Sequence, residues 1–192
     1  MVTPKIKEDR YSYADYLTWG DQERWEIIHG LAYAMSPAPN TRHQFISGNI
    51  HGEFFYYLKG KKCRVFAAPF DIRLSTEKAD EESIFTVVQP DISIFCDMSK
   101  LDDRGAIGAP DLIVEILSPS TAEKDLNIKL LLYQEYAVKE YWIADPAKET
   151  MSVYKLDQLG RYKLVKIYTK EEKVTVGIFP ELVIDLKEVF AE

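Results

Sequence analysis

The stretch Asp111-Leu112-Ile113-Val114-Glu115-Ile116-Leu117 is apolar except for its two carboxylates. Runs rich in β-branched residues are typical of central strands that are covered on both faces of a sheet. An ionised carboxylate within such a strand is unfavourable unless a cation or a strong hydrogen-bond donor meets it. Glu115 therefore directs attention to whatever group lies opposite it in the fold.

A second carboxylate, Asp91, lies in the earlier apolar run Val88-Gln89-Pro90-Asp91-Ile92-Ser93-Ile94. Side chains alternate between the two faces of a strand, so adjacent strands could direct Asp91 and Glu115 to one point. Carboxylate oxygens are the ligands that Mg²⁺ and Mn²⁺ prefer, so the pair predicts a shared divalent cation. The structural alternative is that Asp91 caps a strand after Pro90 and that Glu115 pairs with a lysine or arginine.

The helix predicted to follow this strand carries Asp125 and Lys129 one turn apart, on the same face. It begins at the capping signal of residues 118–121 and extends to about Tyr136. Lys129 could reach over the sheet to the acidic site and stabilise charge that develops on a phosphate, with Asp125 holding the lysine or binding metal through water. The alternative is a surface ion pair that contributes little to stability.

Two further residues are candidates for the same site. Glu26 lies in a predicted hairpin around His29-Gly30 and could complete the acidic cluster, or it could be an exposed strand carboxylate. His43, near the start of a predicted helix, could contact a phosphate or serve a structural role. An Asp, a Glu and a Lys around one point are suited to metal-assisted attack on a phosphodiester.

The hydrophobic pattern of the remaining chain predicts a mixed sheet with helices, an α/β (α+β) architecture. A strand, a loop, a strand, a helix and a strand follow one another from residue 86 to residue 144, which is the order of a helical crossover. The predicted helices cover residues 11–22, 41–58 and 118–136, and the predicted strands cover residues 24–36 as a hairpin, 63–68, 70–74, 86–96, 110–117, 140–144, 151–156, 162–168, 174–176 and 182–184.

Composition predicts one globular domain over residues 1–192, with a loose lead-in at residues 1–10 and a β-rich C-terminal extension. The chain has 192 residues, of which 46% are hydrophobic and 29% are charged. It contains no apolar stretch of about eighteen residues and no secretory leader, so we expect no membrane association. Cys63 and Cys96 match no zinc motif and are expected to be reduced core residues of a cytoplasmic protein.

The formal net charge of −7 argues against a protein that coats nucleic acid by bulk electrostatics. An enzyme that meets the phosphate backbone locally is still compatible with this charge, because bound divalent cations would offset an acidic site.

Taken together, these motifs resemble the Uma-two family of the PD-(D/E)XK superfamily, a bacterial family long carried as a domain of unknown function. The resemblance extends from about Tyr11 to about Val165. It rests on residues 26–30, His43, Pro90-Asp91, residues 110–120, Asp125, Lys129, Tyr133 and residues 140–146.

The resemblance implies a restriction-endonuclease-like fold and Mg²⁺- or Mn²⁺-dependent hydrolysis of DNA. The superfamily pattern is Pro-Asp followed by Asp or Glu, one residue and Lys, which here becomes Pro90-Asp91 and then Glu115-Ile116-Leu117. Leu117 occupies the lysine position, and the family explanation is migration of the lysine to the next helix, at Lys129. Glu26 would add a metal-binding carboxylate, with His43 and Asp125 in support.

Nucleases of this fold often act on both DNA strands as dimers, so the resemblance also implies a homodimer. Two other functions are compatible with the same fold. One is a catalytically inactive nucleic-acid-binding or regulatory module, in which Lys129 merely pairs with Asp125. The other is a protein-interaction domain that uses the β-rich segment of residues 174–190.

Overall fold

The computed structural model describes residues 10–20, 24–35, 40–75, 79–119 and 122–191. The predicted lead-in therefore lies outside the described residues, apart from Arg10. The helices are α1 (Tyr13–Tyr16), α2 (Thr41–Leu58), α3 (Leu130–Glu135) and α4 (Leu186–Val189), with a π-helical segment (Lys124–Lys129) directly before α3 and 3₁₀ turns at Glu81–Ser83 and Met98–Lys100.

The described residues also form fourteen strands. In chain order these are β1 (Trp25–Ile28), β2 (Leu31–Ala34), β3 (Arg64–Ala67), β4 (Ile72–Arg73), β5 (Val87–Val88), β6 (Ile92–Phe95), β7 (Leu101–Asp102), β8 (Gly105–Ile107), β9 (Leu112–Ile116), β10 (Glu140–Asp145), β11 (Thr150–Leu156), β12 (Tyr162–Thr169), β13 (Lys173–Thr175) and β14 (Val183–Asp185).

The central sheet has the strand order β12-β11-β10-β9-β6-β3. Strands β9 and β10 are parallel, with Glu140 opposite Leu112, and the chain between them includes α3. The other neighbours in this sheet are antiparallel. The predicted mixed sheet with a helical crossover is thus confirmed, and the apolar character of β9 is explained by its central position, where it is buried along its whole length.

Helices α2 and α3 cover opposite faces of the central sheet. The apolar stripe of α2, formed by Ile46, Ile50, Phe54 and Leu58, packs with alternate strand residues and with the β13–β14 ribbon. The other face buries side chains of α3 together with those of the smaller N-terminal sheet. Alternation along β9 therefore assigns Glu115 to the α3 side of the sheet, where it contacts Tyr133.

The predicted single strand over residues 86–96 is wrong, because the chain divides at Pro90. Strand β5 belongs to the N-terminal sheet, of order β2-β1-β5-β4-β8-β7, whereas β6 belongs to the central sheet. Proline has no N–H to donate to a sheet ladder, which favours a break at this position. Asp91 consequently lies in the connection just before β6, where the two sheets meet.

The loop predicted between the strands over residues 86–96 and 110–117 is also partly wrong, because it contains β7 and β8. Strand β8 runs parallel to β4. Gly105 permits this contact, since its φ is +115° and a Cβ there would lie 2.2 Å from the main-chain oxygen of Asp71.

Cys63 and Cys96 form a disulfide, so the prediction of two separate reduced thiols is wrong. Cys63 immediately precedes β3 and Cys96 immediately follows β6. These strands are antiparallel with Arg64 opposite Phe95, so the two cysteines occupy the next opposed position. Two cysteines that flank one cross-strand pair are close in space, although no local sequence signal reveals the strand pairing. Across the described ranges, no helix combines the length and apolar character needed to cross a membrane.

Candidate active site

An open cleft of about 950 Å³ lies where β9 leaves the central sheet. Its walls come from the start of α2, the end of β3 and the π-helical segment before α3. The six side chains predicted for the site all line this cleft, namely Glu26, His43, Asp91, Glu115, Asp125 and Lys129.

Glu115 is the fourth residue of β9 and is almost completely buried. Its Oε1 accepts hydrogen bonds from Lys129 Nζ and from the hydroxyl of Tyr133, both at 2.7 Å. Its Oε2 faces the main-chain N–H of Asp91 at 3.4 Å. The helix after β9 therefore supplies the cation and the hydroxyl that compensate for burial of this carboxylate.

Glu26, on β1, is fully buried and lies between two ammonium groups. Its Oε1 is 2.8 Å from Lys129 Nζ, and its Oε2 is 2.5 Å from Lys124 Nζ. The main-chain N–H of Gln89 also donates to Oε1, at 3.1 Å. The interpretation of Glu26 as an exposed strand carboxylate is therefore wrong, because Glu26 is buried and contacts the same lysine as Glu115.

The π-helical segment brings Lys124 and Lys129 to the same carboxylate. In an α-helix, residues three or four apart share a face, whereas the wider turn of a π-helix aligns residues five apart. Lys124 and Lys129 are five apart, and they reach the two oxygens of Glu26. Short π-helical segments are frequent at functional sites.

Asp91 is held by contacts of its main chain and its side chain. Its main-chain oxygen accepts from the N–H of Ala68 at 3.0 Å. Oδ2 accepts from the N–H of Ile116 at 2.8 Å and lies 3.2 Å from Nε2 of His43. Asn40 caps α2 by accepting from the N–H of His43, which fixes the histidine in the first turn of that helix.

Asp125 is buried beside the lysine that it was predicted to accompany. Its carboxylate is 3.8 Å from Lys129 Nζ, and its main-chain oxygen accepts from the hydroxyl of Tyr141. The alternative of a surface ion pair is wrong for these residues, because both side chains are 4% exposed. Lys129 instead forms closer contacts with Glu26 and Glu115.

The cluster of Glu26, Asp91, Glu115 and Asp125 with Lys124 and Lys129 has more carboxylates than ammonium groups, and this imbalance perturbs its ionisation. Burial raises the pKa of Glu115 to about 8. Lys129 lowers this pKa, and the neighbouring carboxylates raise it and so offset part of the effect of Lys129. Burial also opposes ionisation of Glu26, but Lys129 and Lys124 lower its pKa to about 2.

The pKa values of Lys129 and His43 are raised by the neighbouring carboxylates in spite of burial. Burial disfavours the charged form of Lys129, but Glu115, Glu26 and Asp125 hold its pKa well above the usual value. Burial likewise opposes charge on His43, whose pKa is nevertheless raised by its hydrogen bond with Asp91 and by the charge of that group. The pKa of Glu115 is thus raised while that of Glu26 is lowered, although both carboxylates contact Lys129.

Sequence reasoning missed three residues that organise the site: Lys124, Tyr133 as the donor to Glu115, and Gln89. Lys124 gives no α-helical signal, because it does not share an α-helical face with Lys129. Gln89 lies next to the Pro-Asp pair, but its contact with Glu26 depends on how β1 and β5 pair in space. The Glu115–Lys129 contact, by contrast, is confirmed.

A family model, Uma2, described as "Putative restriction endonuclease", matches residues 13–187. The chain belongs to the Uma2 family. A protein of Synechocystis sp. (strain ATCC 27184 / PCC 6803 / Kazusa), described as uncharacterized protein slr1290, is 24% identical over 181 residues, which are 92% of this chain and 91% of that protein. Membership of Uma2 supports a nuclease-like function and confirms the resemblance found in the sequence.

The fold of this Uma2 chain is similar to that of a crystal structure from Anabaena variabilis ATCC 29413, described as a putative nuclease belonging to DUF820. The TM-score is 0.72 at 22% identity, covering 93% of this chain and 97% of that one. At this identity the likeness shows the fold alone, so the chemistry must be argued from the side chains in the cleft.

Proposed function

We propose that this protein is a metal-dependent endonuclease that hydrolyses phosphodiester bonds of DNA. The observation that carries the proposal is the placement of Lys129 Nζ 2.7 Å from the Glu115 carboxylate, in an open cleft that also contains Asp91. A strand carboxylate, a second carboxylate and a lysine are the groups that metal-assisted phosphodiester hydrolysis needs.

The donor set fits Mg²⁺ or Mn²⁺, with Asp91 and Glu115 as the protein ligands. Mg²⁺ is usually held by one or two carboxylates, while water and substrate phosphate complete its coordination. Among the described residues, no group of three or more His, Cys, Asp or Glu side chains is arranged to hold a metal. Oδ2 of Asp91 contacts Nε2 of His43 and the N–H of Ile116, so we assign Oδ1 to the cation.

A bound divalent cation would lower the pKa of a coordinated water and neutralise charge on the phosphate. The protein's own part in the reaction centres on Lys129, whose charged amine would stabilise the negative charge that develops on the phosphate oxygens. Both oxygens of Glu26 face ammonium groups, so we assign it to the positioning of Lys129 and Lys124 rather than to metal binding.

Three further residues of the cleft region act on these groups. His43 orients Asp91 through the contact between Nε2 and Oδ2. Tyr133 orients Glu115 by donating to Oε1, which leaves Oε2 on the side of Asp91. Asp125 adds a third carboxylate beside Lys129 and so favours its charged form.

DNA is the proposed substrate because the matching family is described as "Putative restriction endonuclease", although the net charge of the chain is −7. Such a chain would bind the polyanion through local contacts at the cleft rather than through its overall charge. We extend the proposal to a homodimer, in which two clefts would act on the two strands of a duplex. The Cys63–Cys96 disulfide removes the argument from free thiols, so the proposed cytoplasmic location rests on the DNA substrate alone.

The test is nicking of supercoiled plasmid in Mg²⁺ or Mn²⁺, compared with EDTA. Glu115→Gln and Lys129→Met should abolish nicking, because each removes one charge from the centre of the site. Asp111→Asn is the matched control, since Asp111 lies just before the same strand β9 but pairs with the exposed Lys139 away from the cleft. It should nick at the wild-type rate.

Two outcomes would contradict the enzyme proposal. Nicking that persists in both site variants would indicate a contaminating nuclease or a different site. Metal-independent retardation of DNA by all variants, without cleavage by the wild type, would favour a binding module that retains the fold. Circular dichroism of each variant would establish that a loss of nicking does not reflect a loss of folding.

A further inference from the structure

We propose that Arg24 is a substrate-binding residue that holds a phosphate next to the one that is cleaved. The inference rests on the proposed DNA substrate and deepens it by naming a contact within the same cleft. Arg24 lines the cleft and immediately precedes β1, the strand that carries Glu26. Its main-chain oxygen accepts from the N–H of Met35, which ties this end of the hairpin together.

The side chain of Arg24 is held by the amide oxygen of Gln89. Arg24 Nε donates to Gln89 Oε1 at 3.0 Å, and Nη2 donates to the same oxygen. The guanidinium has five N–H donors in a planar fork, so donors remain for a second acceptor. An anion in the cleft could therefore bind this arginine without displacing Gln89.

The orientation of the Gln89 amide is fixed by its own partners. Nε2 donates to Oδ1 of Asp71 at 2.6 Å and to the hydroxyl of Tyr16 at 3.1 Å. An ionised carboxylate can only accept hydrogen bonds, so the nitrogen must face Asp71 and the oxygen must face Arg24. Gln89 is itself buried, so the support for the guanidinium is built into the fold rather than formed on an exposed surface.

A neutral partner distinguishes Arg24 from other basic residues of the cleft. Arg42 contacts the carboxylate of Glu149 at 2.8 Å, and Lys148 contacts that of Asp145 at 2.8 Å. Arg24 is anchored by an amide oxygen and not directly by a carboxylate, and the nearest acid that acts on its charge is Asp71, on the far side of the Gln89 amide. A fixed guanidinium with its charge retained is suited to bidentate recognition of phosphate.

The position of Arg24 relative to the reacting groups also fits a flanking phosphate. Arg24 lies two residues before Glu26, just ahead of β1, and both residues line the cleft. Two residues of extended chain span about 7 Å. Neighbouring phosphates of one DNA strand are separated by more than their axial rise of about 3.4 Å, because they are also rotated about the helix axis, so this spacing fits the next phosphate along the strand. Gln89 connects the two positions, since its main-chain N–H donates to Glu26.

The experiment measures binding of a fluorescein-labelled 20-base-pair duplex by anisotropy, in EDTA and over a range of salt concentrations. Arg24→Gln should lower the slope of log K against log salt by about one, which is the loss of one phosphate contact. At about 0.1 M salt the same loss weakens binding roughly eightfold. Arg24→Lys should keep the salt slope but recover only part of the affinity, because the fork is lost.

The matched control is Arg64→Gln, which removes the same charge from an arginine that binds main-chain oxygens of Lys61 and Cys63 and does not line the cleft. Equal binding by Arg24→Gln and Arg64→Gln would overturn the assignment. Plasmid nicking separates this failure from failure of the proposed function. If the wild type cuts DNA and Arg24→Gln binds it normally, only the assignment of Arg24 fails. If the wild type neither binds nor cuts DNA, the proposed function fails as well.

Discussion

Removing the ammonium of Lys129 should strongly destabilise the metal-free protein, because two buried carboxylates would lose their shared cation. In Lys129→Met the chain keeps a side chain of similar length without its charge. The side chains of Glu26 and Glu115 are 0% and 5% exposed, so water cannot replace the lost contacts. Breaking a buried ion pair from one side typically costs about 3–5 kcal/mol.

The lower end of this range is expected here, because each carboxylate keeps another donor. Glu26 retains Lys124 and Glu115 retains the hydroxyl of Tyr133. We therefore expect a loss of about 3 kcal/mol in the free energy of unfolding at pH 7. Without Lys129 to oppose the effect of burial, the folded-state pKa of Glu115 should rise above 8 in the variant. The folded variant then still binds a proton that the folded wild type has released, so the difference in stability should increase above pH 8, by up to about 1.4 kcal/mol for each pH unit.

Urea unfolding in EDTA at pH 7, 8 and 9 measures the effect directly. Lys139→Met is the matched control, because Lys139 pairs with Asp111 at 2.6 Å but is 66% exposed. An exposed pair contributes about 0–1 kcal/mol, so this variant should resemble the wild type at every pH. The reasoning would be refuted if the two variants differed by less than about 1 kcal/mol at pH 7, or if the Lys129→Met loss were constant from pH 8 to pH 9.

Three further predictions concern stability. The folded-state pKa of Glu115 is about 8, against an ordinary value of 4.5. Its stabilising contribution is therefore complete below pH 4.5 and is lost as the pH rises through 8. In EDTA, the free energy of unfolding should fall between pH 5 and pH 8. Glu115→Gln should flatten this slope in urea titrations, and equal slopes would contradict it. Tyr133→Phe should lose about 1–2 kcal/mol by urea unfolding, because Glu115 loses a buried donor, and no change would contradict that role. Gly105→Ala should lower the free energy of unfolding by more than about 3 kcal/mol, because backbone strain and the clash with Asp71 add. Gly60→Ala should lower it by about 1 kcal/mol, because its Cβ would meet nothing within 4 Å. Equal thermal midpoints of the two variants would refute the contrast.

The sequence alone determined the architecture around β9 and two members of the site. Hydrophobic runs and helical periodicity are local properties, so they predicted the strands β9 and β10, the helix between them and the helix α2. The contact between Glu115 and Lys129 was also predictable, because strand and helix are consecutive in the chain and must pack on each other.

Tertiary structure decided what surrounds that pair. Glu26 meets Lys124 across a separation of 98 residues, which follows from the packing of the N-terminal sheet beside the central one. The π-helical register that aligns Lys124 with Lys129 gives no signal in an α-helical pattern. The same holds for the break at Pro90 and for the Cys63–Cys96 disulfide, because both depend on which strands pair.

The physical reason is that local patterns report which face of an element is apolar, whereas the partner of a buried charge is chosen by the whole fold. A buried carboxylate such as Glu115 requires a partner, and the sequence revealed that requirement. Side chains that converge only after two sheets and two helices have packed decide which cation satisfies it and how many other acids share that cation. They therefore also decide how far the pKa values shift.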